Sequence, residues 1–154
     1  MSGYVRLTLG RDKYLIPQHE VVAFEPVVDI DKAEADDNSI GVISYENVHL
    51  PVYHFTSDLR LSGTTDESRR ICICLRHEDI QFGMLCDEVD NVMESDFSMF
   101  NLPECMKTET CPVIKLAVSG NKVLNVIDTK SLAKLLPDNG LLEDALLDDL
   151  TTGQ

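Results

Sequence analysis

Residues 40–61, IGVISYENVHLPVYHFTSDLRL, decide how this chain folds. Apolar and polar residues alternate from Ile40 to Tyr45 and again from Val48 to Phe55, and the two runs meet at Glu46-Asn47. An Asn-containing two-residue connection between alternating runs is the signature of a β-hairpin. The same pattern returns without a gap at IKLAVSGNKVLNVIDTKSLAKLL, with Ile40 falling on Ile114, Asn47 on Asn121, Leu50 on Leu124 and Val52 on Val126. A fainter echo precedes each hairpin, Tyr14-Leu15-Ile16 matching Phe82-Gly83-Met84 and Glu20-Val21 matching Glu88-Val89. The chain therefore reads as two copies of one unit, and two half-buried sheets of this size need each other to complete a core.

Outward from the hairpin, Tyr4 to Leu9 and Tyr14 to Ile16 form a hairpin around Gly10-Arg11-Asp12. Pro17 stops it, and the period leaves Gln18 to Phe24 open between a helical turn and a strand. Asp29 to Ser39 is acidic and reads as an exposed loop, and residues 62–68, SGTTDES, as a connector marking the seam between copies. Arg69 to Leu75 and Asp79 to Cys86 pair next, with Ile71, Ile73 and Leu75 facing the core and Cys72 and Cys74 on the face of Arg70 and Arg76. Asp87 to Met93 mirrors the first exit segment, and Asp96 to Cys111 is a long loop. Asp128 or Thr129 caps a short helix over Ser131 to Leu136, stopped by Pro137. In the tail, Leu142, Leu146 and Leu150 recur every fourth residue, which predicts a final amphipathic helix.

Composition bounds the function. With 44% apolar and 26% charged residues the chain is an ordinary globular domain. It has no apolar run of about 20 residues and no signal-peptide core, so the expectation is a cytoplasmic protein without direct membrane insertion. A net charge of -14 opposes phosphate backbones and excludes nucleic acid as a natural partner. The five cysteines read as free thiols and lack the paired spacing of a structural zinc site. His19, His49, His54 and His77 make no ligand pair, and Ser44, Ser57 and Ser131 have no recognisable base beside them. Asp87, Glu88 and Asp90 read as an acidic surface or cap, so the expectation is function through surfaces, with no catalytic residues, metal or cofactor.

The residues GVISYENVHLPVYHFTSDLRL resemble the signature hairpin of CheW-like chemotaxis coupling domains, with Gly41, Val42, Ile43, Leu50, Pro51, Val52 and Leu61 matching. FGMLCDEVDNVME resembles the family's GLVVDEVxxV run through Gly83, Asp87, Glu88, Val89 and Val92, and VLNVIDTKSLAKLL is similar to its closing strand and helix. The resemblance implies a mainly β fold of two interlocked five-stranded SH3-like β-barrel subdomains, with short helices and a C-terminal helix. Its boundaries would be a domain over 1–136, with intertwined subdomains at roughly 16–66 and 67–136 plus the N-terminal strand, and an acidic tail over 137–154.

It also implies a non-enzymatic adaptor that joins the cytoplasmic tip of chemoreceptors to the regulatory domain of a CheA-type histidine kinase. By position, Ile43, Tyr45, Val48 and Leu50 would border a partner groove, and Val89, Val92 and Met93 a second binding edge. Ser44-Tyr45-Glu46-Asn47 replaces the family's Asn-Leu-Arg-Gly, so Glu46 reverses a charge within that groove. Ala23 stands where the acidic partner of that arginine is expected, and His54 where the family has aspartate. A divergent member is implied, serving an alternative or surface-motility array. A small ligand- or metal-binding regulator using Cys72, Cys74 and the histidines is the competing reading.

Overall fold

Two-residue turns set the strand pairs of the computed structural model, which describes residues 3–31, 39–56, 59–63, 69–108 and 110–136. The opening hairpin joins β1 (Gly3–Leu9) to β2 (Asp12–Pro17), and β3 (Val21–Pro26) follows a single 3-10 turn at Gln18–Glu20. Next come β4 (Gly41–Tyr45), β5 (Val48–Phe55) and the short β6 (Leu61–Ser62). The second half supplies β7 (Ile71–His77), β8 (Ile80–Cys86), β9 (Glu88–Met93), β10 (Ser98–Asn101), β11 (Val113–Ser119), β12 (Lys122–Ile127) and the helix α1 (Thr129–Ala133).

The repeat is present in the hydrogen-bond register. Tyr45 pairs with Val48 across one turn and Ser119 with Lys122 across its counterpart, while Leu9–Asp12 and His77–Ile80 close the two opening hairpins. Glu46 and Asn47 both take positive φ, 48° and 67°, the backbone of a type I′ turn. The second hairpin turns instead on Gly120 at φ 63°.

Five strands of each sheet follow equivalent orders, β9-β1-β2-β12-β11 and β3-β7-β8-β5-β4, with β10 added beside β11 and β6 beside β5. Each sheet takes its opening hairpin from one copy and its remaining strands from the other. The exchange is sealed by two parallel seams, Val52 opposite Gly83 and Val126 opposite Leu15, at equivalent places in the repeat. The sheets thus part the chain between Pro17 and Val21 and again between Cys86 and Glu88. They do not part at the connector after Ser62, because β7 and β8 remain in the sheet of β3, β4 and β5. That sheet curls until its outer strands approach, the Tyr45 hydroxyl on β4 donating to the Val22 carbonyl on β3 at 3.2 Å.

Two interiors and one joint core result. Ile30, Ile40, Ile43, Leu50, Val52, Cys72, Cys74 and Leu85 fill the β3–β8 sheet, and Tyr4, Leu15, Ala117, Leu124 and Val126 fill the other. Between them lies the largest cluster, drawn from both sheets, with Val5, Leu7, Tyr14 and Ile16 against Tyr53, Phe55, Ile73, Leu75, Phe82 and Met84. Strands β5, β7 and β8 are therefore buried on both faces. Cys72 and Cys74 are 0% exposed and do not share an outer face with Arg76; they line an interior, while Ile73 and Leu75 line the joint core. Gly83 makes room for them, since a Cβ there would lie 2.7 Å from the Cys72 Sγ.

Other expectations also change. Asp29 to Ser39 is not wholly exposed: Ile30 is buried, and Asp31 bridges Val42 with N–O distances of 2.7 and 3.1 Å. Gly41 allows that approach, because a Cβ there would meet the Asp31 carbonyl oxygen at 2.6 Å. The segment after Asp96 contains β10, and the closing helix covers Thr129–Ala133 rather than Ser131 to Leu136. Asp128 caps it, Oδ1 accepting from the Ser131 amide at 2.8 Å, and the buried Glu20 accepts from the Thr129 amide at 2.6 Å. The tail helix falls outside the described residues.

Candidate partner-binding surface

The β4–β5 hairpin presents one face of alternating residues. Ile43 pairs with Leu50 and Tyr45 with Val48, so all four share that face, yet their exposure differs along it. Ile43 and Leu50 are each 1% exposed and belong to the interior, whereas Val48, next to the turn, is 41% exposed. Tyr45 is half-buried, and loss of water together with the Glu46 carboxylate pushes its phenol up. Glu46 itself is exposed at the turn, while Ala23 lies half-buried against the same interior that Tyr45 covers.

The second group lies on β9, an edge strand of the other sheet. Val89 packs on the joint core and Val92 on that sheet's interior, whereas Met93 is 40% exposed at the strand end, opposite Gly3. The structure thus places the two groups on different sheets and leaves Val48 and Met93 as their exposed apolar members. Phe24, Phe100, Met106 and Val123 are also exposed and were not singled out by the sequence. Phe100 shares a cross-strand row with Leu116 and Asn125. Only the pairing register makes that row visible, because β10 is four residues long and carries no period of its own.

Polar groups near the junction hold the sheets together. Arg69 is buried, its Nη1 donating to the carbonyls of Phe55 and Leu85, each at 3.4 Å, with its Nε 3.9 Å from Asp87 Oδ1. Asp87 in turn accepts from the Gly10 amide at 2.6 Å, and Asp90 pairs with Arg6 at 3.1 Å. Asp87 and Asp90 are therefore a cap and a clasp between repeats. Ser44 does have an imidazole beside it, its Oγ lying 3.0 Å from His49 Nδ1 in an exposed setting. No group of three His, Cys, Asp or Glu side chains among the described residues is placed to hold a metal ion.

The enclosed thiols have a measurable signature. Burial pushes the Cys86 thiol up to about 12 against the opposing Arg69 guanidinium, with Asp87 adding to the rise. Above its ordinary value of 9.0 the unfolded chain loses this proton while the folded chain keeps it. The stabilisation is complete below about pH 9 and is lost as pH rises towards about 12, at up to about 1.4 kcal/mol per pH unit. Urea midpoints of wild type and Cys86→Ala, taken near about pH 8 and about pH 11, are expected to fall more steeply for wild type. Parallel declines would mean that Cys86 carries no such linkage.

Two interlocked β sheets whose apolar side chains surface at strand ends have the anatomy of an interaction module. The chain belongs to the CheW-like domain family, whose family model matches residues 3–136. Among solved structures it is similar to the scaffolding protein TtCheW from Thermoanaerobacter tengcongensis, at 19% identity and a TM-score of 0.60, covering 82% of this chain and 88% of that one. That likeness carries the fold, including the two β subdomains. No curated protein sequence matches the chain. No helix among the described residues is long and apolar enough to cross a membrane.

Proposed function

We propose that this protein is a cytoplasmic, non-catalytic adaptor that couples the cytoplasmic tip of chemoreceptors to the regulatory domain of a CheA-type histidine kinase, in an alternative or surface-motility array. Family membership over residues 3–136 supports the adaptor role. The observation that carries the docking sites is the exposure of Val48 and Met93 at strand ends, Val48 opposite the half-buried Tyr45 and Met93 next to Val92, which packs on its sheet's interior. Apolar anchors beside a well-packed support are the usual seat of interface energy. Glu46 at the exposed turn supports a partner different from one tuned to arginine there. The competing metal or ligand reading loses its thiols, since Cys72 and Cys74 are enclosed.

Titration calorimetry against the kinase regulatory domain and a receptor-tip fragment from the same cell tests this. Val48→Asp and Met93→Asp are each expected to weaken one of the two interactions by about tenfold or more while leaving the urea midpoint in place. Wild-type affinity for both partners in both variants would remove these strand ends as docking sites. Failure of the wild-type protein to bind either partner would remove the adaptor reading itself.

A further inference from the structure

In the curled sheet of β3, β7, β8, β5 and β4, the outer strands β3 and β4 approach each other without sharing a ladder. Contacts at its two ends hold the gap. At the root of the β4–β5 hairpin, the Val42 amide donates to the Asp31 carbonyl at 3.1 Å and the Asp31 amide donates back to the Val42 carbonyl at 2.7 Å. At the tip, the Tyr45 hydroxyl donates to the Val22 carbonyl at 3.2 Å. On the other flank, the ladder of β5 with β8 covers only Val52 and Tyr53. From Leu50 to the turn, therefore, the hairpin has no strand beside it among the described residues, and the phenol ties its tip to the sheet.

Val22 is placed to receive that hydroxyl. The pairing of β3 with β7 slips by one residue, Val21 lying opposite Leu75 and Ala23 opposite Cys74, so Val22 has no counterpart on β7. A bulge of this kind takes a residue out of the ladder and re-aims it. A peptide carbonyl away from water needs a donor, and the Tyr45 phenol supplies one. Val22 and Tyr45 both pack on the rim of the sheet's interior. Tyr45 also stands between two depths of the hairpin: Ile43 and Leu50 behind it are buried, while Glu46, Asn47 and Val48 beyond it are exposed.

We propose that Tyr45 is a positioning residue for the docking tip: its hydroxyl, bonded to the bulge carbonyl of Val22, holds the turn at the angle at which Val48 and Glu46 meet a partner. This rests on the reading of Val48 as a docking residue. The positive φ of Glu46 and Asn47 sets the shape of the turn, and the phenol sets where that shape stands relative to β3. A tip held in place before binding loses less freedom on binding, so affinity rises without an added contact.

Tyr45→Phe in the full chain keeps the ring on the rim and unties the tip. Amide hydrogen exchange, read without any partner, is expected to quicken about threefold to tenfold at Val48 and to stay unchanged at Val42, whose amide the Asp31 carbonyl holds. Against the partner that Val48→Asp weakens, Tyr45→Phe is expected to lower affinity about threefold or more, and to change it little once Val48→Ala has removed the anchor. The partner weakened by Met93→Asp is expected to bind as before. Unchanged exchange at Val48 would overturn the proposal, since any loss of affinity would then report direct contact of the hydroxyl with the partner. Faster exchange with unchanged affinity, or equal losses with Val48 present and replaced, would overturn it as well. A wild-type chain that binds neither partner, or a Val48→Asp variant that binds both fully, removes the docking reading beneath the proposal, and both results are seen before Tyr45 is altered.

Discussion

Phe55→Ala is expected to cost about 3–5 kcal/mol of folding stability. Phe55 ends β5 at 1% exposure, and its ring meets Tyr14 edge-on at 5.3 Å between centroids. Tyr14 belongs to the opposite sheet, so the lost ring leaves a cavity in the cluster through which the two sheets are joined. A domain of this kind is stable by about 5–15 kcal/mol in total, so the variant should be partly unfolded under mild denaturant. Because both sheets rest on that cluster, fluorescence and far-ultraviolet circular dichroism are expected to report one shared, shifted urea transition. A shift worth less than about 1 kcal/mol, or separate transitions for the two probes, would contradict the joint core as the main source of stability.

Arg69→Ala is expected to cost about 2–4 kcal/mol, for a different reason. Its guanidinium serves two carbonyls at strand ends and stands beside the Asp87 carboxylate, whose other oxygen caps the Gly10 turn. Removing the arginine leaves those acceptors in a place where water reaches poorly. Asp87 is partly exposed and keeps its Gly10 amide, which limits the loss. Arg69→Met separates the contributions, because it retains the packing of the stem without the donors. If Arg69→Met unfolds at the wild-type urea concentration, the hydrogen bonds contribute nothing and the arginine acts as a spacer. An intermediate position, recovered in part by adding Asp87→Asn, is the result expected.

The hairpins were legible because a period of two and a turn at a constant offset are local properties, written in residues such as Tyr45, Asn47 and Val48. The pairing of Val126 with Leu15 was not, since nothing near either residue says which distant strand will lie beside it. The run Ile71 to Leu75 is continuously apolar, as expected of a strand covered on both faces, but the flanking Arg70 and Arg76 suggested an outer face. Depth within the candidate groups was not legible either. Ile43, Tyr45, Val48 and Leu50 share one face of the hairpin, and depth along that face separates the exposed Val48 from the buried Ile43 and Leu50. Alternation carries the phase of a strand but not its distance from the mouth of a barrel. Met93 and Val92 are consecutive on β9 and point to opposite sides, so Met93 is exposed while Val92 is covered.

The exchanged hairpins carry a consequence for how the molecule is made. Arg6 finds Asp90 across 84 residues and Glu20 finds Thr129 across 109, so strands that leave the ribosome first must wait for partners that leave it last. During that interval β1 and β2 have neither β9 nor β12 to pair with, and their apolar residues lack the interior they will line. Loop closure over such spans makes folding slow. The nascent first half therefore keeps unpaired strand edges and uncovered apolar residues until the last β-hairpin arrives and both sheets close together.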